Sequence, residues 1–101
     1  MFNIKMENEA VVVFGNVNSD KVESVMNALN EIALSKGTYG LKLVLVDSIC
    51  ITSFLICELV EFQDSHSYLR VVVGNQGLYD LLDSLDLISR LKVSYKPTKN
   101  Y

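Results

Sequence analysis

Between Leu41 and Val46 the chain reads Leu-Lys-Leu-Val-Leu-Val, with Lys42 the only polar residue. Successive side chains of a strand point to opposite faces. Leu41, Leu43 and Leu45 therefore share one face, and Val44 and Val46 share the other. A strand apolar on both faces needs cover on both, which marks a central, parallel strand. Parallel neighbours cannot be joined by a tight hairpin and require crossover connections, usually helices. This one run points to an α/β fold.

The residues that follow supply such a crossover. After Asp47, the piece from Ser48 to Thr52 is ambiguous: Ile49-Cys50-Ile51 either extends the strand or forms a buried turn. Ser53 to about His66 reads as a helix. Leu55, Leu59 and Phe62 share a face with Ile56 and Val60 alongside, and Glu58, Glu61 and Ser65 form a polar stripe. Ile51, Thr52 and Phe54 favour a strand instead. A run of more than about ten residues without a turn signal decides for the helix.

The flanking segments agree. Phe2, Ile4 and Met6 alternate with Asn3 and Lys5, as in a half-buried strand. Glu7-Asn8 suits a tight turn into a second strand, Glu9 to Phe14, antiparallel to the first. Asn18, Ser19 and Asp20 are equally good caps for the next helix, and Glu23 completes a capping box if Asp20 is the cap. Val22, Val25, Met26, Leu29, Ile32 and Ala33 then trace one buried face, opposite Glu23, Asn27, Asn30 and Glu31. Lys36-Gly37 is a helix stop.

Tyr68 to Val73 is the fourth strand, and Gly74-Asn75-Gln76-Gly77 is a turn with Asn75 as cap. Leu78, Leu81, Leu82 and Leu85 have helical spacing, and Ile88 and Leu91 suit a further helical turn. Lys92 to Tyr95 forms a short edge strand. The order is β-β-α-β-α-β-α-β: a mainly parallel sheet with an antiparallel N-terminal strand, in a single domain over residues 1–101 with a frayed tail over 96–101.

Composition narrows the function classes. At 50% hydrophobic and 21% charged residues, the chain lies far from disorder. A chain of this size buries roughly 60–70% of its unfolded surface, enough for one core without staples. The net charge is −3. The nearest approach to a basic cluster is Arg90, Lys92, Lys96 and Lys99, which reads as a solubilising edge and tail, so no nucleic-acid partner is expected. Cys50 and Cys57 are too close in sequence for a useful disulfide loop and read as small buried hydrophobes in a reducing compartment. The start, MFNIKMENE, has no basic head and apolar middle, and no apolar run approaches the ~20 residues of a membrane span. A cytoplasmic protein is expected.

Few residues suggest chemistry. Asp47, Ser53 and His66 carry the letters of a hydrolase triad, but no nucleophile-elbow glycines flank Ser53. His66 falls at the far end of the same helix, roughly 20 Å away. A single histidine and two cysteines seven apart do not make a metal site. Gly74 to Gly77 follows a strand and opens a helix, as phosphate-binding loops do, but it lacks the Walker lysine and the full dinucleotide fingerprint. A tight turn explains it better. No cofactor or catalytic residue is expected. Thr52-Ser53 is either an ordinary helix cap or a phosphorylation switch.

From Glu9 to Tyr95 the chain resembles the STAS domains, the family of bacterial anti-sigma-factor antagonists. The similarity lies in Gly15 to Asn18, Leu43 to Leu59 and Leu82 to Leu87. Thr52-Ser53-Phe54-Leu55-Ile56 stands where the family has Asp-Ser-Ser-Gly-Leu. Thr52 replaces the motif aspartate, Leu55 the glycine, and Asn18 a further acidic residue. The resemblance implies a β/α superhelix and a non-catalytic regulator that switches between protein partners. It implies Ser53 as the residue phosphorylated by a serine-kinase-type anti-sigma factor. The docking face it implies comprises Asn18, Thr52, Ser53, Phe54, Leu55 and Glu58. The family also contains adaptor subunits that bind lipid-transport ATPases without phosphorylation, which is the alternative role.

Overall fold

The computed structural model of the chain describes residues 2–36, 40–66 and 68–97. Strand β1 (Asn3–Glu7) is followed by β2 (Ala10–Phe14), a 3-10 turn (Ser19–Lys21), helix α1 (Val22–Lys36), β3 (Lys42–Leu45), α2 (Ser53–His66), β4 (Arg70–Val73), α3 (Gln76–Ser84) and β5 (Val93–Tyr95). The five strands form one sheet in the order β1-β2-β3-β4-β5. β1 and β2 form an antiparallel hairpin from Asn3↔Phe14 to Glu7↔Ala10. Asn8 makes the turn at φ 54, a conformation that asparagine tolerates. The remaining pairings are parallel, with Val11↔Leu43, Leu43↔Val71 and Val71↔Val93 in one row.

The row explains the sequence pattern. Every parallel step is a strand, a helix and the adjacent strand, and right-handed crossovers in sequential order carry all the helices to one face. On that face Val11, Val13, Leu43, Leu45, Val71 and Val73 join Val25, Leu29, Leu55, Leu59, Leu78 and Leu82 in the main core. The opposite face holds a second cluster. Ala10, Val12 and Val44 are buried there against partly buried Phe14, Val46 and Val72, and no described helix residue belongs to it. β3 is the central strand, apolar on both faces as expected.

Several local expectations change. α1 is not opened by a side-chain cap. Asn18 is extended and makes no cap bond; Asp20 lies inside the 3-10 turn, which Lys21 N–H closes onto Asn18 C=O at 2.8 Å. Leu81 and Leu85 are exposed, because α3 turns Leu78 and Leu82, one turn apart, into the core, with Tyr79 partly buried beside them. Ile88 and Leu91 do form a helical turn, with Leu91 N–H bonded to Leu87 C=O at 2.9 Å. Lys96, placed in the frayed tail, still bonds to the sheet through its N–H to Val73 C=O at 2.9 Å. Cys50 and Cys57 are exposed rather than buried, and neither is in a disulfide. Gly37 and residues 98–101 lie outside the described residues.

Gln63 is a buried polar residue on α2. Its Nε2 donates to Leu69 C=O at 2.8 Å and its Oε1 accepts from Leu69 N–H at 3.0 Å. The side-chain amide thus pairs with one backbone residue as a neighbouring strand would. It fixes the C-terminal half of α2 against the start of β4.

Candidate docking site

The loops leaving β2 and β3 are sewn together. Gly15, at φ 86, ends β2 in a conformation that strains residues with a Cβ. Its N–H donates to Asp47 Oδ1 at 2.7 Å, and its C=O accepts from Ser48 Oγ at 2.6 Å. Ile49 N–H then donates to Asn16 Oδ1 at 2.9 Å. Val17 and Ile51 form a single parallel bridge. The piece from Ser48 to Thr52 is therefore neither a full strand nor a buried turn. Ser48 is buried by its bond to Gly15, while Ile49 and Cys50 point to solvent.

The two chains leave the Val17–Ile51 bridge at Asn18 and Thr52, side by side. Thr52 caps α2: its Oγ1 accepts from Leu55 N–H at 3.2 Å and its C=O from Ile56 N–H at 3.1 Å. Ser53 is the first residue of the helix and is exposed. The capping is done by its neighbour, so the Ser53 hydroxyl has no part in holding the helix end. The first turn of α2 contains no acidic side chain.

Of the six expected docking residues, five reach the surface. Asn18, Ser53 and Phe54 are exposed, and Thr52 and Glu58 are partly buried. Leu55 does not reach it. Leu55 has 0% exposure and belongs to the main core, because on a helix beginning at Ser53 it points at the sheet with Leu59 and Phe62. Phe54, one residue earlier, is 51% exposed. It borders a groove of about 420 Å³ between α1 and α2, which Glu58 also lines from α2, Glu23 and Met26 from α1, and Asp20 from the 3-10 turn before it. The α1 contribution was legible only as the polar stripe Glu23, Asn27 and Asn30; nothing local shows that the stripe faces α2.

The other candidates separate. Ser53 and His66 are the two ends of a 14-residue helix. The Asp47 carboxylate is bonded to Gly15. A triad is not assembled. Among the described residues no three His, Cys, Asp or Glu side chains are grouped to hold a metal ion. At Gly74 to Gly77, Asn75 caps α3 by accepting from Leu78 N–H at 2.9 Å. A Cβ on Gly77 would lie 3.1 Å from that same Asn75 Oδ1. The glycine makes room for a cap, and the cap occupies an amide that a phosphate would need.

No helix among the described residues is long and apolar enough to cross a membrane. No protein-family model matches the chain, and no match is found among curated proteins.

Proposed function

We propose that this chain is a STAS-like domain, built as the family's β/α superhelix, that acts in the cytoplasm by binding another protein rather than by catalysis. One observation carries the reading. Ser53 is an exposed hydroxyl at the first position of α2, next to exposed Phe54, while Thr52 does the capping. A serine with no structural task, at a helix start, beside an exposed aromatic ring, suits a regulated interface. Its partner is a serine-kinase-type anti-sigma factor or a related regulator. Phosphorylation of Ser53 adds about −1.5 to −2 charges. At the helix start that charge meets the dipole favourably, but beside Phe54 it makes an apolar contact costly to desolvate.

The test is to incubate the chain with a serine-kinase-type anti-sigma factor and ATP, and to map modification by mass spectrometry. A stable complex and phosphate on Ser53 are expected. A complex that forms while Ser53 stays unmodified removes the switch.

A second reading, an adaptor subunit for a lipid-transport ATPase, is favoured by Phe54 itself. A half-exposed aromatic ring in a first turn without acids suits a standing interface better than a charge switch. Co-purification with a transport ATPase, independent of Ser53, is its signature.

A further inference from the structure

The charged side chains that line the groove between α1 and α2 are acidic. Asp20 and Glu23 line it from the α1 side and Glu58 from α2; among the described residues no Lys or Arg lines it, and Lys21 Nζ lies 3.9 Å from Asp20 Oδ2, which leaves Glu23 and Glu58 as its unpaired acids. A second depression, of about 180 Å³, continues it along the helices and shares Met26, Asn30 and Glu58 with the first. Glu61 adds a further acid there, and among the described residues no basic residue lines it. Phe54, Glu58 and Glu61 follow one another at i, i+4 and i+7, so they form one stripe along α2. From Phe54 to Glu61 this stripe covers about two helical turns, roughly 10 Å. Its apolar elements are half-exposed Phe54 at one end and the buried Val22 and Met26 in the wall.

An apolar anchor point flanked by Glu23, Glu58 and Glu61, with Asp20 paired to Lys21, in an otherwise uncharged polar rim is complementary to one kind of segment. We infer that this groove binds a basic amphipathic helix of a partner protein, an apolar side chain seated against Phe54 and Met26 and Lys or Arg flanking it against Glu23, Glu58 and Glu61. The inference rests on the reading of the Ser53 end of α2 as a docking face and adds the chemistry of what docks. Helix-in-groove recognition uses such i, i+3 or i+4 anchors. The opposed charges set the orientation of the incoming helix and speed its arrival.

The probe is a synthetic helical peptide of about 15 residues, with leucines at i, i+4 and i+7 and lysines on the flanking positions. A control peptide carries glutamates in place of the lysines. Both are titrated into the full, isotopically labelled chain and followed by amide NMR shifts. Saturable shifts on Glu23, Met26, Phe54 and Glu58 are expected with the basic peptide only. Affinity falls about tenfold or more for Phe54→Ala, as for an interface anchor, and again for Glu23→Lys combined with Glu58→Lys. It weakens steeply as salt rises to about 0.5 M. Glu58→Gln, a milder change, weakens binding in the same direction and guards against misfolding of the double variant. Equal binding of the acidic peptide, shifts centred elsewhere, or no saturable binding overturns the inference. Failure here is distinct from failure of the switch. Phosphate on Ser53 with no groove shifts sinks the groove alone, and groove shifts with an unmodified Ser53 sink the switch alone.

Discussion

The carboxylate of Asp47 accepts a 2.7 Å hydrogen bond from the backbone N–H of Gly15, 32 residues earlier. Ser48, the next residue, donates to the C=O of the same glycine at 2.6 Å. Two consecutive side chains at the end of β3 thus satisfy both polar groups of the residue that ends β2. Each of Asp47→Ala and Ser48→Ala should cost about 1–2 kcal/mol in urea unfolding. The double variant should cost less than the sum, by about 0.5 kcal/mol or more, because either bond holds Gly15 for the other. Strict additivity would show that the two bonds act separately.

Thr52 and Ser53 divide the work of the junction, and substitution should separate their roles. Thr52→Ala removes the bond to Leu55 N–H and should destabilise the fold by about 1 kcal/mol. Ser53→Ala should change stability by less than about 0.5 kcal/mol, as at an exposed site without partners. Thermal unfolding of the two variants measures both. A larger loss for Ser53→Ala would mean that its hydroxyl helps hold the helix start, against the geometry described.

Phe54 and Leu55 are adjacent but belong to different parts of the molecule. Leu55→Ala opens a cavity in the main core and should cost about 2–5 kcal/mol. Phe54→Ala should leave stability nearly unchanged and weaken partner binding instead. Denaturation of each variant, followed by binding on those that remain folded, distinguishes the two losses.

Gln63 offers a sharper test of the core. Gln63→Leu keeps the size but leaves the Leu69 N–H and C=O without their partners at buried positions, and should cost about 2–3 kcal/mol. Hydrogen exchange at the Leu69 amide should accelerate along with the fall in the denaturation midpoint. A neutral or stabilising effect would mean that the pairing is dispensable.

Asp86 should be improvable. It sits at φ 64 just beyond α3, where Asp86 N–H bonds to Asp83 C=O and Leu87 N–H to Leu82 C=O, both at 3.0 Å. This is the Schellman closure, in which glycine is the usual residue. Asp86→Gly relieves the left-handed strain at some cost in chain entropy and should stabilise by up to about 1 kcal/mol. A clear loss of stability would show that the aspartate side chain contributes something beyond the turn.

How much was legible depended on how local the signal was. That the chain is helical from Ser53 to about His66 follows from the spacing of Leu55, Leu59 and Phe62 and from the length of the run without a turn signal. The Asn75 cap and the Asn8 turn follow from what those side chains do to their own backbone. The start of α1 did not follow. Three adjacent cap residues were available, yet Asn18 makes no cap bond, because its position is set by the Val17–Ile51 bridge next to it. Ile49 and Cys50 look like core residues in sequence and are exposed, because the buried place in that loop went to Ser48 and its bond to Gly15.

The sequence by itself determined the element order, the central place of β3 and the antiparallel first hairpin. Each depends on hydrophobic periodicity and turn chemistry, which act within about ten residues. Only the tertiary structure decided which hydroxyl caps and which is free, that Leu55 turns inward while Phe54 does not, and that the polar stripe of α1 meets that of α2 across an acidic groove. Those outcomes depend on contacts between segments some thirty residues apart, as Gly15 and Asp47 are. A one-dimensional pattern records which face of an element is polar, but not what that face is turned toward.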